Sequence, residues 1–420
     1  MKEQARILKN QRIKESISLT NEKRKNQICS VYQVKIQENK LTKKQKEHLK
    51  MLFVEAKWII NSVLNFSNEN KNNKIWDYKL KTNKVNVFDK NKNLVEKELN
   101  YISSQMKQSV VAEMIANIRT LSSLKKNGIK VGKLKYRKEC KSINLKQYHN
   151  TYKFVSNNKM KIQGVPGRVL VNGLDQFIND KDIEFANAKI LNTPNGYYIA
   201  ITTYKNKEKI KKKELLDEKI GIDFGVKNNL TLSNGKKINV SVEESERLKK
   251  LQKKLSRQEK SSNNRKKTVN LLRKEYQTIK NKKQDAANKI VSELLKYKTI
   301  YIQDENLIGW KENGFGKQVH HSILGRVKQK LKNNKEQVVI VDRYKPTTKC
   351  CSRCLNVKEE MSLGERKYVC ESCGFIEDRD LNSAKNMILF GNKLVPAERR
   401  EVKPVEKTVG FSLKQEAPKL

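Results

Sequence analysis

Two Cys-x-x-Cys knuckles, Cys351/Cys354 and Cys370/Cys373, stand fifteen residues apart. Thiolates at that spacing close a tetrahedral shell around zinc, and a closed four-sulfur shell is structural because it leaves no position open to substrate. Cys350 adjoins Cys351 and competes with it as a ligand, but Cys351 restores the two-residue gap of the other knuckle. A redox pair is the rival reading; two pairs at ribbon spacing in a polar segment suit a metal better. Acidic residues follow at once, in Asp378-Arg-Asp380-Leu-Asn382. Further acids stand at the ends of apolar, strand-like runs: Asp223 in Ile220-Gly-Ile-Asp-Phe-Gly225, and Asp304 and Glu305 after Thr299-Ile-Tyr-Ile-Gln303. Carboxylates brought to one sheet edge could hold two Mg²⁺ ions about 3.5–4 Å apart, one activating water and one stabilising the leaving oxygen of a phosphodiester. Taken singly, each acid reads equally well as a turn or cap residue. Asp304 competes with Glu305, and Asp378 with Asp380. His320 and His321 sit in a Lys-rich helical stretch without a partnered acid or thiol, and read as surface or phosphate-contacting residues.

The rest of the chain says what such a site would act on. Its 420 residues allow several domains. Lys and Arg number 91 against 45 Asp and Glu, a net charge of +46. Folding gains nothing from that excess, since like charges repel in the compact state; a polyanion relieves it, which points to nucleic acid. No apolar run reaches the roughly 18 residues of a membrane span, and the N-terminus lacks the apolar core of a secretory signal. Seven cysteines, four of them in the knuckles, fit a reducing compartment, so a cytoplasmic location is expected. Cys29 and Cys140 read as structural or free thiols.

Periodicity predicts the elements that position these residues. Residues 1–28 read as a basic arm, and 29–37 alternate as a strand. Thr42-Lys-Lys-Gln45 has the form of a capping box ahead of Leu49, Leu52, Phe53, Ala56, Ile59, Ile60 and Val63 at helical spacing. A second helix is predicted over 103–127, capped by Gly128. An Asn/Lys-rich loop is expected over 68–100. Short strands return from 131 to 204, with Asn195-Gly196 as a hairpin turn, and 205–217 reads as a charged linker. Strands at 220–226, 230–232 and 238–240 form an antiparallel meander turning at Asn234-Gly235. Two helices dense in Lys and Arg follow, then a strand at 299–303, a helix over 319–331 and a strand at 338–341. Strand–helix–strand with near-continuous apolar strands implies an α/β sheet. The tail 394–420 reads as poorly ordered.

The ordered motifs Gly221-Ile-Asp-Phe-Gly225, Ile302-Gln-Asp-Glu-Asn-Leu307, Tyr344-Lys-Pro-Thr-Thr-Lys-Cys-Cys-Ser-Arg-Cys354, Cys370-Glu-Ser-Cys-Gly374 and Asp378-Arg-Asp-Leu-Asn-Ser-Ala-Lys-Asn386 resemble the TnpB family. These are transposon-encoded RNA-guided DNA endonucleases, similar to the compact type V CRISPR effectors. The resemblance covers roughly 29–393. It implies a multidomain α+β and α/β chain. Its parts would be a basic extension (1–28), a wedge β-barrel (29–40 and 131–210) interrupted by a helical recognition domain (41–130), and a RuvC-like nuclease of RNase H fold (217–343, with a basic helical pair at 243–297). An inserted zinc ribbon (344–375), the last nuclease motif (376–393) and a tail (394–420) would complete it.

In that family the second acid precedes x-Leu and the third precedes x-Asn-x-Ala, which selects Glu305 and Asp380. Asp223, Glu305 and Asp380 would then be the catalytic Mg²⁺ ligands, and Cys351, Cys354, Cys370 and Cys373 would hold one structural Zn²⁺. The implied partners are a guide RNA, from a transposon end or a CRISPR array, and target double-stranded DNA cut beside a short motif, by a monomer or an RNA-bridged homodimer. Base pairing would read sequence while protein reads backbone and shape. The rivals are a guided DNA-binding repressor of the same fold, a conventional transposase, and a structural RNA-binding ribbon protein. The chain departs from the family pattern at Leu355, where a Gly follows the first knuckle, and at Asp304 before Glu305.

Overall fold

The computed structural model describes residues 2–69, 78, 80, 83–89, 91, 93–132, 134–210, 215–362 and 364–394. Its contacts divide the chain into two units, Met1–Lys211 and Lys212–Leu420.

In the first unit, helix α1 (Lys2–Lys25) leads into strand β1 (Gln27–Ile36). Helix α2 (Lys43–Glu69) starts with the capping box: Thr42 N donates to Gln45 Oε1 at 3.0 Å, and Gln45 N to Thr42 Oγ1 at 3.2 Å. The apolar stripe from Leu49 to Val63 is buried. The expected 68–100 loop is not wholly irregular: β2 (Lys84–Phe88) and β3 (Leu94–Glu98) pair as a hairpin. Helix α3 (Ser104–Lys126) is capped by Ser103 Oγ, which accepts from Met106 N, and is followed by Gly128 at φ +76°. Strands β4 (Ser142–Leu145), β5 (Tyr152–Ser156), β6 (Lys159–Ile162), β7 (Val169–Asn172), β8 (Ile183–Thr193) and β9 (Gly196–Asn206) join β1 in one sheet ordered β4-β8-β9-β1-β7-β6-β5. Tyr152 Oη, on one edge strand, donates to Ala186 O of β8 at 2.8 Å, so the sheet nearly closes into a barrel. Helices and barrel share a single core that includes Leu52, Ile59, Met106, Ile143, Ile190 and Ile201.

The second unit is built on a five-stranded sheet ordered β12-β11-β10-β13-β14. Strands β10 (Leu216–Phe224), β11 (Leu230–Leu232) and β12 (Lys237–Ile238) form the antiparallel meander. Strands β13 (Tyr297–Gln303) and β14 (Val338–Val341) run parallel to β10. The crossover between β12 and β13 holds α4 (Glu246–Ser256) and α5 (Asn263–Leu294). Lysines at 253, 254, 266, 267, 274 and 280 point to solvent, while Leu248, Leu272, Ile290 and Leu294 are buried.

The single helix expected over 319–331 is broken. After α6 (Leu307–Trp310) and a π-helical turn (Lys311–Phe315), two helices, α7 (Gly316–His321) and α8 (Leu324–Lys332), take its place. Ser322 is extended and bridges Ser241, which stops α7. After β14 come a hairpin, β15 (Lys367–Val369) and β16 (Ile376–Asp378), and then helix α9 (Arg379–Gly391). The expected disordered tail lies, after Leu394, outside the described residues. Among the described residues no helix is long and apolar enough to cross a membrane.

A carboxylate site beside a four-cysteine cluster

Asp223 is the last residue but one of β10, and Asp380 lies in the first turn of α9. The two meet because residue 221 is glycine: a Cβ there would lie 1.9 Å from the Ala384 carbonyl oxygen. Helix α9 therefore lies directly on the β10 backbone, which no other residue allows. Ser383 Oγ, one turn on from Asp380, donates to Asp223 Oδ1 at 2.9 Å. Burial pushes the Asp223 carboxyl well above the usual range, and the Asp380 and Glu305 charges push it further; Ser383 and Arg379 oppose them. Asp380 takes a hydrogen bond from Asn228 Nδ2 at 3.3 Å and pairs with Arg379 at 3.4 Å. Asp378 does other work. It caps α9, accepting from the N–H groups of Asp380 (3.0 Å) and Leu381 (3.1 Å), and pairs with Lys237 at 2.7 Å.

The adjacent acids after β13 separate in the same way. Asp304 pairs with Lys328 (2.9 Å), Lys332 (2.5 Å) and Arg343 (3.3 Å). The hydrogen bonds from Lys332 and Lys328 hold its carboxyl far below the usual range. Glu305 is pushed the other way, raised by burial against the pull of Lys328 and Arg343. Its charge reaches Asp223. The chain thus gathers Asp223, Glu305 and Asp380, and turns Asp304 and Asp378 to structural pairing. Burial makes two of the gathered carboxyls resist ionisation, and the neighbouring cations offset it only in part. Carboxylate oxygens are the donors Mg²⁺ prefers, so the donor types suit a divalent cation, although among the described residues only the four cysteines bring their ligand atoms within 4.8 Å of one another. His320 and His321, on α7, contribute backbone carbonyls that accept from Lys283 Nζ and Val242 N; neither side chain joins the carboxylates among the described residues.

Cys351, Cys354, Cys370 and Cys373 bring their sulfurs within 4.8 Å of one another. The Cys351–Cys373 and Cys354–Cys370 separations are 3.8 and 3.5 Å. Tetrahedral zinc with bonds of about 2.3 Å needs sulfurs about 3.8 Å apart, so the set fits one zinc. The knuckles repeat one turn. Leu355 N donates to Cys351 O as Gly374 N does to Cys370 O, each at 3.0 Å, and both residues are left-handed, at φ +63° and +68°. Leu355 thus adopts the conformation that glycine holds in the second knuckle. Cys350 is buried and stands outside the cluster, its thiol turned to the Cys351 carbonyl.

Several polar side chains that support the site lie in the quoted motifs, but residue pattern alone gave them no role. Gln303 Nε2 donates to Asp342 O (2.9 Å) and Lys345 O (3.0 Å), and its Oε1 accepts from Thr347 Oγ1 (3.0 Å). Asn382 and Asn386 are fully buried on α9. Both donate to Cys350 O, at 2.8 and 2.6 Å; Asn386 also donates to Thr347 O, and Asn382 Oδ1 accepts from Ser352 N at 2.9 Å. Their i, i+4 spacing puts them on one face of α9.

A family model described as "Cas12f1-like, TNB domain" matches residues 320–387, and one described as "Probable transposase" matches 202–304. A Streptomyces pristinaespiralis protein called "Putative RNA-guided DNA endonuclease" is 29% identical over 184 residues, 41% of this chain and 45% of that protein. "TnpB-like protein L79" of Acanthamoeba polyphaga mimivirus is 50% identical over 58 residues, 14% of this chain and 10% of that protein. The matches thus span less than half of each of these relatives. A solved structure titled "Cryo-EM structure of the Cas12f1-sgRNA-target DNA complex" aligns over 86% of this chain and 99% of that one, at 14% identity and a TM-score of 0.47, a likeness too loose to bear on function.

Proposed function

We propose that this chain, which belongs to the family of TnpB proteins and compact type V effectors, is an RNA-guided DNA endonuclease that cleaves target DNA beside a short motif. The observation that carries the reading is the meeting of Asp223, Glu305 and Asp380 at one end of β10, β13 and α9, with Asp304 and Asp378 drawn off into ion pairs. The strand order, three antiparallel strands followed by two parallel to the first, supports an RNase H-like nuclease. Asp223, Glu305 and Asp380 would hold Mg²⁺, which activates water and stabilises the leaving oxygen.

The chain's own residues do the remaining work. Ser383 fixes the Asp223 carboxylate and leaves its second oxygen for the cation. Asn228 and Arg379 orient Asp380. Glu305 stays available because Asp304 absorbs the nearby cations. The exposed lysines of α4 and α5 offer contacts to a phosphate backbone. The net charge of +46 supports a polyanionic partner, here a structured guide RNA and target DNA. The four cysteines would hold a structural zinc.

The test is expression with flanking DNA, sequencing of the co-purifying RNA, and plasmid cleavage in Mg²⁺. A discrete RNA and cleavage lost in Asp223→Ala and Glu305→Ala are expected. Cleavage that persists in either variant would sink the catalytic assignment, and absence of a specific RNA would sink the guided reading.

A further inference from the structure

Three buried amides grip one stretch of chain. That stretch, 342–352, leaves β14 and runs into the first knuckle. Gln303 holds its start through Asp342 O, Lys345 O and the Thr347 hydroxyl, and Gln303 lies two residues before Glu305. Asn382 holds its end, and lies two residues after Asp380. The bonds from Asn382 fall on Cys350 O and Ser352 N, the two neighbours of Cys351. Asn386 adds bonds to Thr347 O and Cys350 O. Ser383 packs against this stretch too. Its oxygen lies 3.4 Å from Thr347 Oγ1, but its single proton goes to Asp223 at 2.9 Å. The elements carrying Glu305 and Asp380 are therefore tied to the same few residues that present a cysteine of the four-sulfur cluster.

We propose that Gln303, Asn382 and Asn386 are positioning residues that couple zinc occupancy of the cysteine cluster to divalent-cation binding at Asp223, Glu305 and Asp380. Without zinc the first knuckle would lose its tie to the second and keep only local backbone bonds, such as Cys350 N to Pro346 O and Cys351 N to Asn356 O. Buried amides resist such a change strongly, because a donor or acceptor left unpaired costs about 1–3 kcal/mol. Asn386 Oδ1 already lacks a partner, so the resistance lies in the bonds that are made, and these transmit a displacement of Cys350–Ser352 to α9. Coupling of this kind is reciprocal: whatever factor zinc adds to the affinity of the carboxylates, a cation there adds to the affinity for zinc. The proposal rests on the carboxylates being a metal site, and its test separates the two.

The experiment uses the full-length chain without RNA, zinc-loaded and zinc-stripped. Mn²⁺ binding is measured by the electron paramagnetic resonance of the free ion, and the part lost in Asp223→Asn defines the site. Zinc removal is expected to weaken that binding about tenfold, and zinc re-addition to restore it. In a chelator competition, millimolar Mg²⁺ should tighten zinc by the same factor. Asn382→Ala should bring the factor close to one while each metal still binds alone. Asn386→Ala serves the same purpose if that variant does not fold. Leu331→Ala, a core truncation on α8, loses stability but should keep the tenfold factor. Equal Mn²⁺ affinity with and without zinc in the unmutated chain overturns the coupling, as does a tenfold factor that survives Asn382→Ala. No Asp223-dependent Mn²⁺ binding in the zinc-loaded chain overturns the carboxylate reading itself.

Discussion

Gly221→Ala tests the architecture of the site with a single methyl group. The added Cβ would sit 1.9 Å from the Ala384 carbonyl oxygen, where real contacts are not found below 3.0 Å. Helix α9 must retreat from β10 by roughly 1.1 Å or more, the difference between that limit and the present contact. Asp380 and Ser383 both ride on α9. The Ser383–Asp223 bond, now 2.9 Å, would stretch to about 4 Å and cease to be a hydrogen bond. Overpacking of this kind costs about 1–3 kcal/mol of stability, whereas a misplacement of about 1 Å at a reacting centre can cost about 10²-fold in rate. The variant should therefore fold and retain zinc, yet cleave plasmid about a hundredfold more slowly under single-turnover conditions with guide RNA and Mg²⁺. Because the obstacle is a backbone oxygen, Ala384→Gly should not rescue it. Gly225 and Gly391 are also crowded, so the control is Gly325→Ala on α8, whose Cβ would meet only Leu307 at 3.8 Å; it should be neutral or slightly stabilising. Cleavage by Gly221→Ala within threefold of the parent would refute the claim that this contact sets the distance between Asp223 and Asp380.

Gly374→Ala probes the second knuckle: at φ +68° with open space around the added Cβ, the cost is purely conformational, about 1–2 kcal/mol. Zinc affinity by chelator competition should fall about 5- to 30-fold. Cys350→Ser should retain one zinc per chain by metal analysis while Cys351→Ser loses it, since only Cys351 stands in the cluster; loss of zinc in both would return Cys350 to the ligand set. Asp304 has its carboxyl depressed by Lys332 and Lys328. Its contribution to stability is therefore full above the unfolded carboxylate range near pH 4, and is lost as pH falls through the lower folded value. Asp304→Asn should flatten the acid limb of thermal stability between about pH 4 and pH 2; an unchanged limb would show that the three cations do not act through this carboxylate.

What the sequence reveals depends on how local the cause is. The Thr42/Gln45 capping box and the Asn195-Gly196 and Asn234-Gly235 turns are set by residues within a few positions, and each forms where its spacing predicts. The β2–β3 hairpin is hidden because Lys84-Val-Asn-Val-Phe88 lies among Asn and Lys that read as loop. The break at Ser322 is hidden for the opposite reason: Val319, Ile323, Leu324 and Val327 keep helical spacing across it, and the bridge to Ser241 overrides them. Strand ends nominate Asp223 and the Asp304/Glu305 pair, and the cysteine knuckles nominate the Asp378/Asp380 pair. Local sequence alone does not separate Glu305 from Asp304, because Lys328, Lys332 and Arg343 come from α8 and the segment after β14. Gln303, Asn382 and Asn386 are the least legible of all. In a sequence a buried amide looks like a surface one, and only the carbonyls it meets tell them apart.

The place of the four-cysteine cluster in the chain bears on the cost of delivering Asp380. From Val341 to Arg379 the chain runs about 37 residues, and closing a flexible loop of that length costs about 3 kcal/mol in the logarithmic term alone. The loop must also carry a carboxylate toward Asp223, whose burial already opposes its ionisation, so the electrostatics add to the entropy rather than offset it. Binding of a structural zinc by four thiolates releases about 10–16 kcal/mol, all of it coupled to folding the segment that binds it. A ribbon in this loop replaces one long closure by two short ones, and the first of them, Thr347 to Cys351, is where Gln303, Asn382 and Asn386 take hold. Zinc in the four-cysteine cluster would then serve the proposed cation site, because it would fix a stretch of chain that both α9 and the end of β13 are fastened to.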